Sequence, residues 1–171
     1  NTGNSTGDAA GDSYADTIEA FVGTSFADIF VGSNNDDNLS GSDGGDTISG
    51  GSGNDTLNGD DGNDTLNGGA DNDILDGGDG ADSITAGAGA DTLTYASSSS
   101  GVTVDLGAQG NNAGGAAGDT YTVAADFEAI VGSGFDDRIT AVNQTQTIDG
   151  GAGNDTILSS NGVNTVDGGA G

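Results

Sequence analysis

The feature that most constrains this chain is a nine-residue repeat that runs without a gap over residues 23–94. Its units begin at 23, 32, 41, 50, 59, 68, 77 and 86, and the register never slips. The segments 50–58 (GGSGNDTLN) and 77–85 (GGDGADSIT) match G-G-x-G-x-D-x-U-x in full, where U is a large apolar residue. A fixed short period predicts stacked, equivalent units in place of an ordinary globular core. Glycines of this pattern are replaced by Asp60, Asp71 and Ala86.

The composition argues against several classes of protein. The chain has 28 acidic residues and one basic residue, Arg138, for a net charge of −27. Such a charge opposes binding to nucleic acid or to an anionic membrane surface, and no apolar run of about 18 residues offers a membrane span. Because Cys and His are absent, disulfides, thiolate or zinc sites and His-based catalysis are not expected. We therefore expect no enzyme activity and no membrane insertion.

The same composition leaves an acidic disordered segment open as an alternative. Only 32% of the residues are hydrophobic, and low hydrophobicity with high charge does not offset the entropy of the chain. The strict order of the repeat favours a folded chain.

The eight in-frame units resemble the RTX (repeats-in-toxin) calcium-binding nonapeptide repeats, most closely those of S-layer proteins and large bacterial adhesins. The resemblance implies an all-β fold, a parallel β-roll in which two units, eighteen residues, form one coil of a right-handed β-solenoid. It also implies that several Ca²⁺ ions lie between stacked turns, each held by an Asp from both turns and by carbonyl groups of the glycine-rich loops.

In such a roll the apolar position of every unit points inward and the aspartates form two columns. The expected core residues are Phe30, Leu39, Ile48, Leu57, Leu66, Leu75, Ile84 and Leu93. One column holds Asp28, Asp46, Asp64 and Asp82, and the other holds Asp37, Asp55, Asp73 and Asp91. Carboxylates about 4 Å apart repel by roughly 1 to 4 kcal/mol per pair. A bound divalent cation reverses the sign of this interaction.

Calcium suits these positions because it accepts six to eight oxygen ligands in flexible geometry, whereas Mg²⁺ requires a tighter octahedron. The predicted site residues are the column aspartates together with loop glycines. These glycines are Gly51, Gly53, Gly62, Gly69, Gly78, Gly80, Gly87 and Gly89, and in a second block Gly151 and Gly153.

The chain divides into four predicted segments. Residues 1–22 are the end of a preceding inter-block segment, 23–94 the main β-roll block, 95–131 an inter-block segment, and 132–171 a second, degenerate block that stops inside a repeat. Within the inter-block segment, alternating Val102, Val104 and Leu106 predict a half-buried strand.

The second block is asymmetric. Asp137 and Asp155 lie eighteen residues apart in one column, but the other column reads Gln146 and Asn164. We expect at most one calcium site here, between the loops that lead to Asp137 and Asp155, and neutral stacking on the other side.

A longer period is also visible. Residues 17–30 (TIEAFVGTSFADIF) parallel 126–139 (DFEAIVGSGFDDRI), and TGDAAGDSY near the start parallels 114–121, with an offset of about 107 to 109 residues. We expect one full module and part of the next from a tandem array.

Three functions are compatible with these features. The first is a calcium-binding structural module of a secreted or cell-surface protein (S-layer, adhesin or matrix filament) that folds, and assembles with copies of itself, on binding Ca²⁺. The second is the calcium-binding, secretion-associated segment of a toxin or hydrolase exported by type I secretion. The third is an ice-binding solenoid, but its threonine column, Thr47, Thr56, Thr65 and Thr92, is interrupted by Ile74 and Ser83.

Overall fold

A computed structural model describes residues 20–122, 126–142, 145–159, 162 and 164–171. Within these residues the chain forms sixteen short strands, β1 to β16 in chain order, and every pair of neighbouring strands is parallel. Its helical segments are short and include two single 3-10 turns, Gln109–Asn111 and Gly114–Ala116. The predicted all-β parallel roll is confirmed.

The strands form two opposed faces. The continuous face is one eight-stranded sheet: β1 (Phe21–Val22), β3 (Asn38–Ser40), β5 (Thr56–Asn58), β7 (Ile74–Asp76), β9 (Asp91–Thr94), β12 (Phe127–Val131), β14 (Thr147–Asp149) and β16 (Thr165–Asp167). The interrupted face has a five-stranded sheet, β2 (Ile29–Val31), β4 (Thr47–Ser52), β6 (Thr65–Ala70), β8 (Ser83–Ala88) and β11 (Thr120–Tyr121). It continues as a three-stranded sheet of β10 (Thr103–Asp105), β13 (Arg138–Thr140) and β15 (Thr156–Leu158).

The register follows the predicted coil of two units. Ile48 in β4 lies beside Leu66 in β6, and Leu66 lies beside Ile84 in β8. Each unit therefore alternates a loop with a short strand, and units i and i+2 stack on the same face.

A thin apolar core lies between the faces. All eight predicted core residues are at most 5% exposed, which confirms that prediction. In strand β6 the neighbouring Thr65 and Asn67 are exposed while Leu66 is fully buried. Each coil thus contributes about two large apolar side chains, each worth roughly 1.5 to 3 kcal/mol on burial.

The loops stack as closely as the strands, and this explains their glycines. Gly62 has φ of 151°, and a Cβ at that position would overlap the carbonyl oxygen of Gly44 in the coil below. A side chain there would push apart coils that strand pairing holds about 4.8 Å from each other.

Residues 95–122 alter only the interrupted face. After β9 the chain crosses to form β10, which pairs with β13, and then returns to add β11 beside β8. Meanwhile β12 pairs directly with β9, so the continuous face has no break. Val102, Val104 and Leu106 are buried around β10, and the predicted strand is confirmed.

The four-segment division of the chain stays a prediction. Residues 1–19, which include most of the first segment and the start of the first copy of the longer repeat, lie outside the described residues. The corresponding ends of the two copies are described: Val22 closes β1 and Val131 closes β12, both on the continuous face.

We predict that Leu66→Ala destabilises the folded, calcium-loaded chain by about 2 to 5 kcal/mol, because the side chain is fully buried between Ile48 and Ile84. The measurement is urea unfolding followed by circular dichroism. The matched control is Thr65→Ala on the exposed side of the same strand, which should change stability by less than about 0.5 kcal/mol. Equal losses in the two variants would contradict the assigned core.

Candidate functional site

In the main block the sixth residue of each unit is an aspartate that lies between the loop and the strand. Its carboxylate points toward the equivalent aspartate of the preceding coil. Asp46 Oδ1 accepts a hydrogen bond from the Asp28 N–H at 2.7 Å, and Asp64 Oδ1 accepts one from the Asp46 N–H at 2.7 Å. The same bond joins Asp37, Asp55, Asp73 and Asp91 at 2.8 Å. The structure therefore stacks the aspartates in the two columns that the sequence predicts, one along each face.

The second oxygen of the central carboxylates is buried without a partner. No hydrogen bond reaches the Oδ2 atoms of Asp46, Asp55, Asp64, Asp73, Asp82 and Asp91, and these residues are each 1% exposed or less by side chain and backbone together. An unpaired buried carboxylate oxygen costs several kcal/mol. A cation at this oxygen would remove that cost.

Loop carbonyl groups converge on the same space. Asp46 Oδ2 and the carbonyl oxygen of Gly59, from the next coil, both lie where a Cβ on Gly41 would be. At Gly50 the same two kinds of oxygen come from Asp55 and the next coil. A carboxylate oxygen and a carbonyl oxygen from adjacent coils are the mixture that Ca²⁺ accepts.

The acidic side chains alone do not form a metal site. Across the part of the chain that the structure describes, no three or more His, Cys, Asp or Glu side chains are close enough to hold one ion. Backbone oxygens must therefore supply most ligands, and this is consistent with the loop geometry. The residues present fit calcium.

The predicted loop glycines lie in the loops or, for Gly51, Gly69 and Gly87, near the ends of strands β4, β6 and β8, and they let these carbonyls stack. Gly51 and Gly69 have φ of 111° and 119°, and Cβ atoms there would meet the carbonyl oxygens of Ser33 and Gly51, respectively. Positive φ also occurs at Gly53, Gly62, Gly78, Gly80, Gly87, Gly151 and Gly153. Gly89 lacks positive φ but lies against the Asp71 carbonyl.

Burial changes the acidity of the columns. It raises the pKa of Asp55, Asp64 and Asp73 to about 6. The backbone N–H from the preceding coil opposes this rise because it stabilises the charged carboxylate, and neighbouring aspartates reinforce it. The columns therefore carry the repulsion that we expect for a stack without cations.

Two acidic residues that the sequence analysis missed extend the columns past the main block. Asp82 N–H donates to Asp119 Oδ1 at 3.0 Å, and Asp91 N–H donates to Glu128 Oε2 at 2.9 Å. Both acceptors are 37 residues from their donors, so the eighteen-residue spacing does not find them. The acid-x-apolar order of Asp119-Thr120-Tyr121 and Glu128-Ala129-Ile130 was the available signal.

A buried hydroxyl closes the column at Asp119. The Tyr95 hydroxyl donates to Asp119 Oδ2 at 2.7 Å and also shares a hydrogen bond with the Tyr121 hydroxyl. Burial, together with the neighbouring Asp119, raises the pKa of Asp82. This network lies where the interrupted face changes from β11 to β10.

The second block keeps one charged column. Asp137 N–H donates to Asp155 Oδ1 at 2.9 Å, and Asp155 Oδ2 is buried without a partner. On the other side, Gln146 N–H donates to Asn164 Oδ1 at 3.0 Å. Charged and neutral stacking are therefore separated as the sequence indicates.

Three predicted ligands differ from the others in their partners. Asp28, Asp37 and Asp137 each accept, at Oδ2, a hydrogen bond from the backbone N–H of the second residue of their own loop. The assignment of these three as calcium ligands, like that of the other site residues, stays a prediction.

We predict that the calcium-depleted chain becomes more structured on acidification. In the folded state Asp55, Asp64 and Asp73 have pKa values of about 6, against about 3.9 when unfolded. The folded chain binds more protons between these values, so its added stability is full below about pH 4 and is lost as the pH rises through about 6. Circular dichroism of calcium-depleted protein, from about pH 7.5 to 4, measures this. A strand signal that weakens on acidification would contradict it.

Comparison with known families agrees with this geometry. The family model of the RTX calcium-binding nonapeptide repeat matches residues 22–57, 58–93 and 143–171, together more than half of the chain. No curated protein gives a significant match. With the stacked nonapeptide coils, the aspartate columns and this match, the chain belongs to the family of RTX calcium-binding nonapeptide-repeat proteins.

Proposed function

We propose that this chain is a calcium-dependent structural module of a secreted or cell-surface protein, with ions bound between stacked loops along both aspartate columns. The observation that carries the proposal is the row of six buried Oδ2 atoms without a partner, on Asp46, Asp55, Asp64, Asp73, Asp82 and Asp91. In each loop the carboxylate oxygen and carbonyl oxygens of adjacent coils would hold one ion.

Calcium explains how a chain with so thin a core folds. If each site has a Kd near 10⁻⁴ M, Ca²⁺ at about 1 mM adds roughly 1.4 kcal/mol per site. Six sites add roughly 8 kcal/mol, which is comparable with the whole stability of a small domain. At submicromolar cytosolic calcium this contribution is close to zero. The chain would therefore stay unfolded during export and fold outside the cell.

The surface context rests on charge and modularity. A net charge of −27 keeps chains apart until cations reduce it, and the sequence of one module recurs after about 107 residues. Strands at the end of a parallel stack can pair with another chain once this repulsion is reduced. No helix in the described ranges is long and apolar enough to cross a membrane. The charge and the repeated module favour a tandem array at a surface or in a matrix.

The accessory segment of an exported toxin or hydrolase is the alternative, because it requires the same calcium-driven folding. It does not require the module to assemble with copies of itself. Assembly therefore separates the two functions.

We predict that the chain is disordered in EGTA and folds cooperatively when Ca²⁺ is added, because the unpaired carboxylate oxygens make the metal-free roll unfavourable. Circular dichroism and sedimentation during a calcium titration measure this, with Mg²⁺ as the control ion. Magnesium should be a poor substitute because it requires octahedral geometry and retains its water. A strand spectrum at neutral pH that is unchanged by excess EGTA would sink the proposal.

We predict that Ca²⁺ also drives assembly, and that the effect grows with the number of modules. Recombinant chains with one, two and three copies of the module would be followed by light scattering at about 0.1 to 10 mM Ca²⁺. Ordered sheets or filaments that require calcium support the surface array. Chains that fold on calcium but stay monomeric at high concentration support the toxin or hydrolase segment instead.

A further inference from the structure

The loops of this roll occur in two states, which differ in whether Oδ2 of the aspartate accepts a hydrogen bond from its own loop. In most units of the main block the carboxylate Oδ2 is bare, as at Asp64. In the loops of Asp28, Asp37 and Asp137, the second loop residue is Thr24, Ser33 or Ser133, and it donates to that carboxylate.

The same hydrogen-bond motif closes all three loops. In the loop of Asp137, the Ser133 N–H donates to Oδ2 at 2.6 Å and the Ser133 hydroxyl donates to Oδ1 at 2.7 Å. The hydroxyl oxygen in turn accepts from the Phe135 N–H at 3.1 Å. Both carboxylate oxygens and the fourth loop amide are therefore satisfied within the protein.

The other two loops use the same amide and hydroxyl donors, but there both groups donate to Oδ2. Thr24 N–H and hydroxyl reach Asp28 Oδ2 at 2.7 and 2.9 Å, and the hydroxyl accepts from the N–H of the fourth loop residue, Phe26. Ser33 N–H and hydroxyl reach Asp37 Oδ2 at 2.6 and 3.1 Å. Asp37 Oδ1 has no partner among the described residues, but the oxygen that is bare in the central loops is filled.

Backbone torsion separates the two states. In the open loops the second residue has positive φ, as at Gly51 and Gly69, and its N–H makes no bond to the aspartate of its own loop. Positive φ outside glycine is confined, among the described residues, to Ser42, Asp60 and Asp71, so the three closing residues have negative φ. With negative φ at this residue, its backbone N–H points at the carboxylate and donates to it.

A hydroxyl in the second position is not sufficient to close a loop. Ser42 occupies this position with φ of 75°, its hydroxyl points to the Gly23 carbonyl at 3.4 Å, and Asp46 Oδ2 remains bare. The fourth residue of that loop is Gly44, with φ of 141°, whereas the closed loops have Phe26, Asn35 and Phe135 in the fourth position. The closed loops thus combine Ser or Thr in the second position with a residue other than glycine in the fourth.

We propose that the loops of Thr24, Ser33 and Ser133 are closed by hydroxyl and amide donors in place of calcium, so that these carboxylates bind no ion. The proposal rests on the calcium-binding function proposed above, and it separates the loops that bind an ion from those that do not. The carboxylate left for an ion in the charged column of the second block is then Asp155, whose Oδ2 is bare. This differs from the predicted site that Asp137 shares with it.

Two of the closed loops occupy equivalent places in the longer repeat. Thr24 and Ser133 are 109 residues apart, and each directly follows the first glycine after a strand of the continuous face, β1 or β12. Each block thus begins with a coil whose carboxylate needs no metal. Tyr95, which donates to Asp119 Oδ2, applies the same chemistry where the main block ends.

The test counts bound ions in the full chain, by equilibrium dialysis against Ca²⁺ and atomic emission. Asp64→Asn and Asp137→Asn are a matched pair, because both residues lie on the interrupted face, accept a backbone N–H at Oδ1 and are buried. We expect Asp64→Asn to lose at least one ion and Asp137→Asn to lose none. Loss of an ion by Asp137→Asn, with the fold retained, would overturn the proposal.

A gain of binding is the complementary test. Ser133→Gly combined with Phe135→Gly restores glycine at positions two and four and should open this loop, so that the chain binds one additional ion, which Asp137→Asn then removes. Ser133→Ala is the control: it deletes the hydroxyl but keeps Phe135, and should add none. An unchanged count in a folded double variant contradicts the proposal, and if that variant does not fold, the Asp64 and Asp137 pair decides.

A second readout does not depend on the count. In calcium-loaded wild type, the Ser133 amide proton should be shifted downfield and exchange slowly, because it is bonded to a buried carboxylate at 2.6 Å. Asp137→Asn should weaken both properties. If wild type binds no calcium at all, the proposed function fails; if it binds calcium but equal losses follow from Asp64→Asn and Asp137→Asn, only this inference fails.

Discussion

The structure depends on what is placed against one carboxylate oxygen in every loop. Oδ1 of the sixth residue ties one coil to the next by accepting a backbone N–H, as Asp64 does from Asp46. Oδ2 is left in a buried position that the glycine-rich loop cannot fill with a side chain. Strands of two to six residues and about two large apolar side chains per coil give little stability on their own. The columns therefore decide whether the stack is attractive or repulsive.

This arrangement makes calcium a part of the fold. An ordinary domain buries a single core that many elements share, whereas each coil here contacts only its neighbours. The favourable energy must consequently be supplied at every coil, and a cation between successive loops does so. The same argument explains why the loops contain glycine: a Cβ on Gly41 would occupy the space on which Asp46 Oδ2 and a carbonyl of the next coil converge.

The chain solves the problem of an unpaired carboxylate in more than one way. The central loops present bare oxygens, the loops of Thr24, Ser33 and Ser133 supply hydroxyl and amide donors, and the second block replaces one column with Gln146 and Asn164. These alternatives occur before and after the run of loops from Asp46 to Asp91, in which Oδ2 is bare. A roll built in this way confines its dependence on metal to a defined stretch and meets other segments with neutral hydrogen bonds.

The sequence determined the period, and its resemblance to RTX repeats implied the parallel coil of eighteen residues. The inward apolar residues and the two columns follow from that coil, because equal spacing brings equal residues into register once strands stack. It did not find Asp119 and Glu128, since an insertion places them 37 residues from their partners in the columns. It also could not place β10 and β11, whose spatial order reverses their order in the chain. Nor did it distinguish Ser33 from Ser42, which have the same position in the repeat. Only the tertiary structure decided these points, because the sign of one φ angle and the path of one crossover depend on which neighbouring coil each loop lies against.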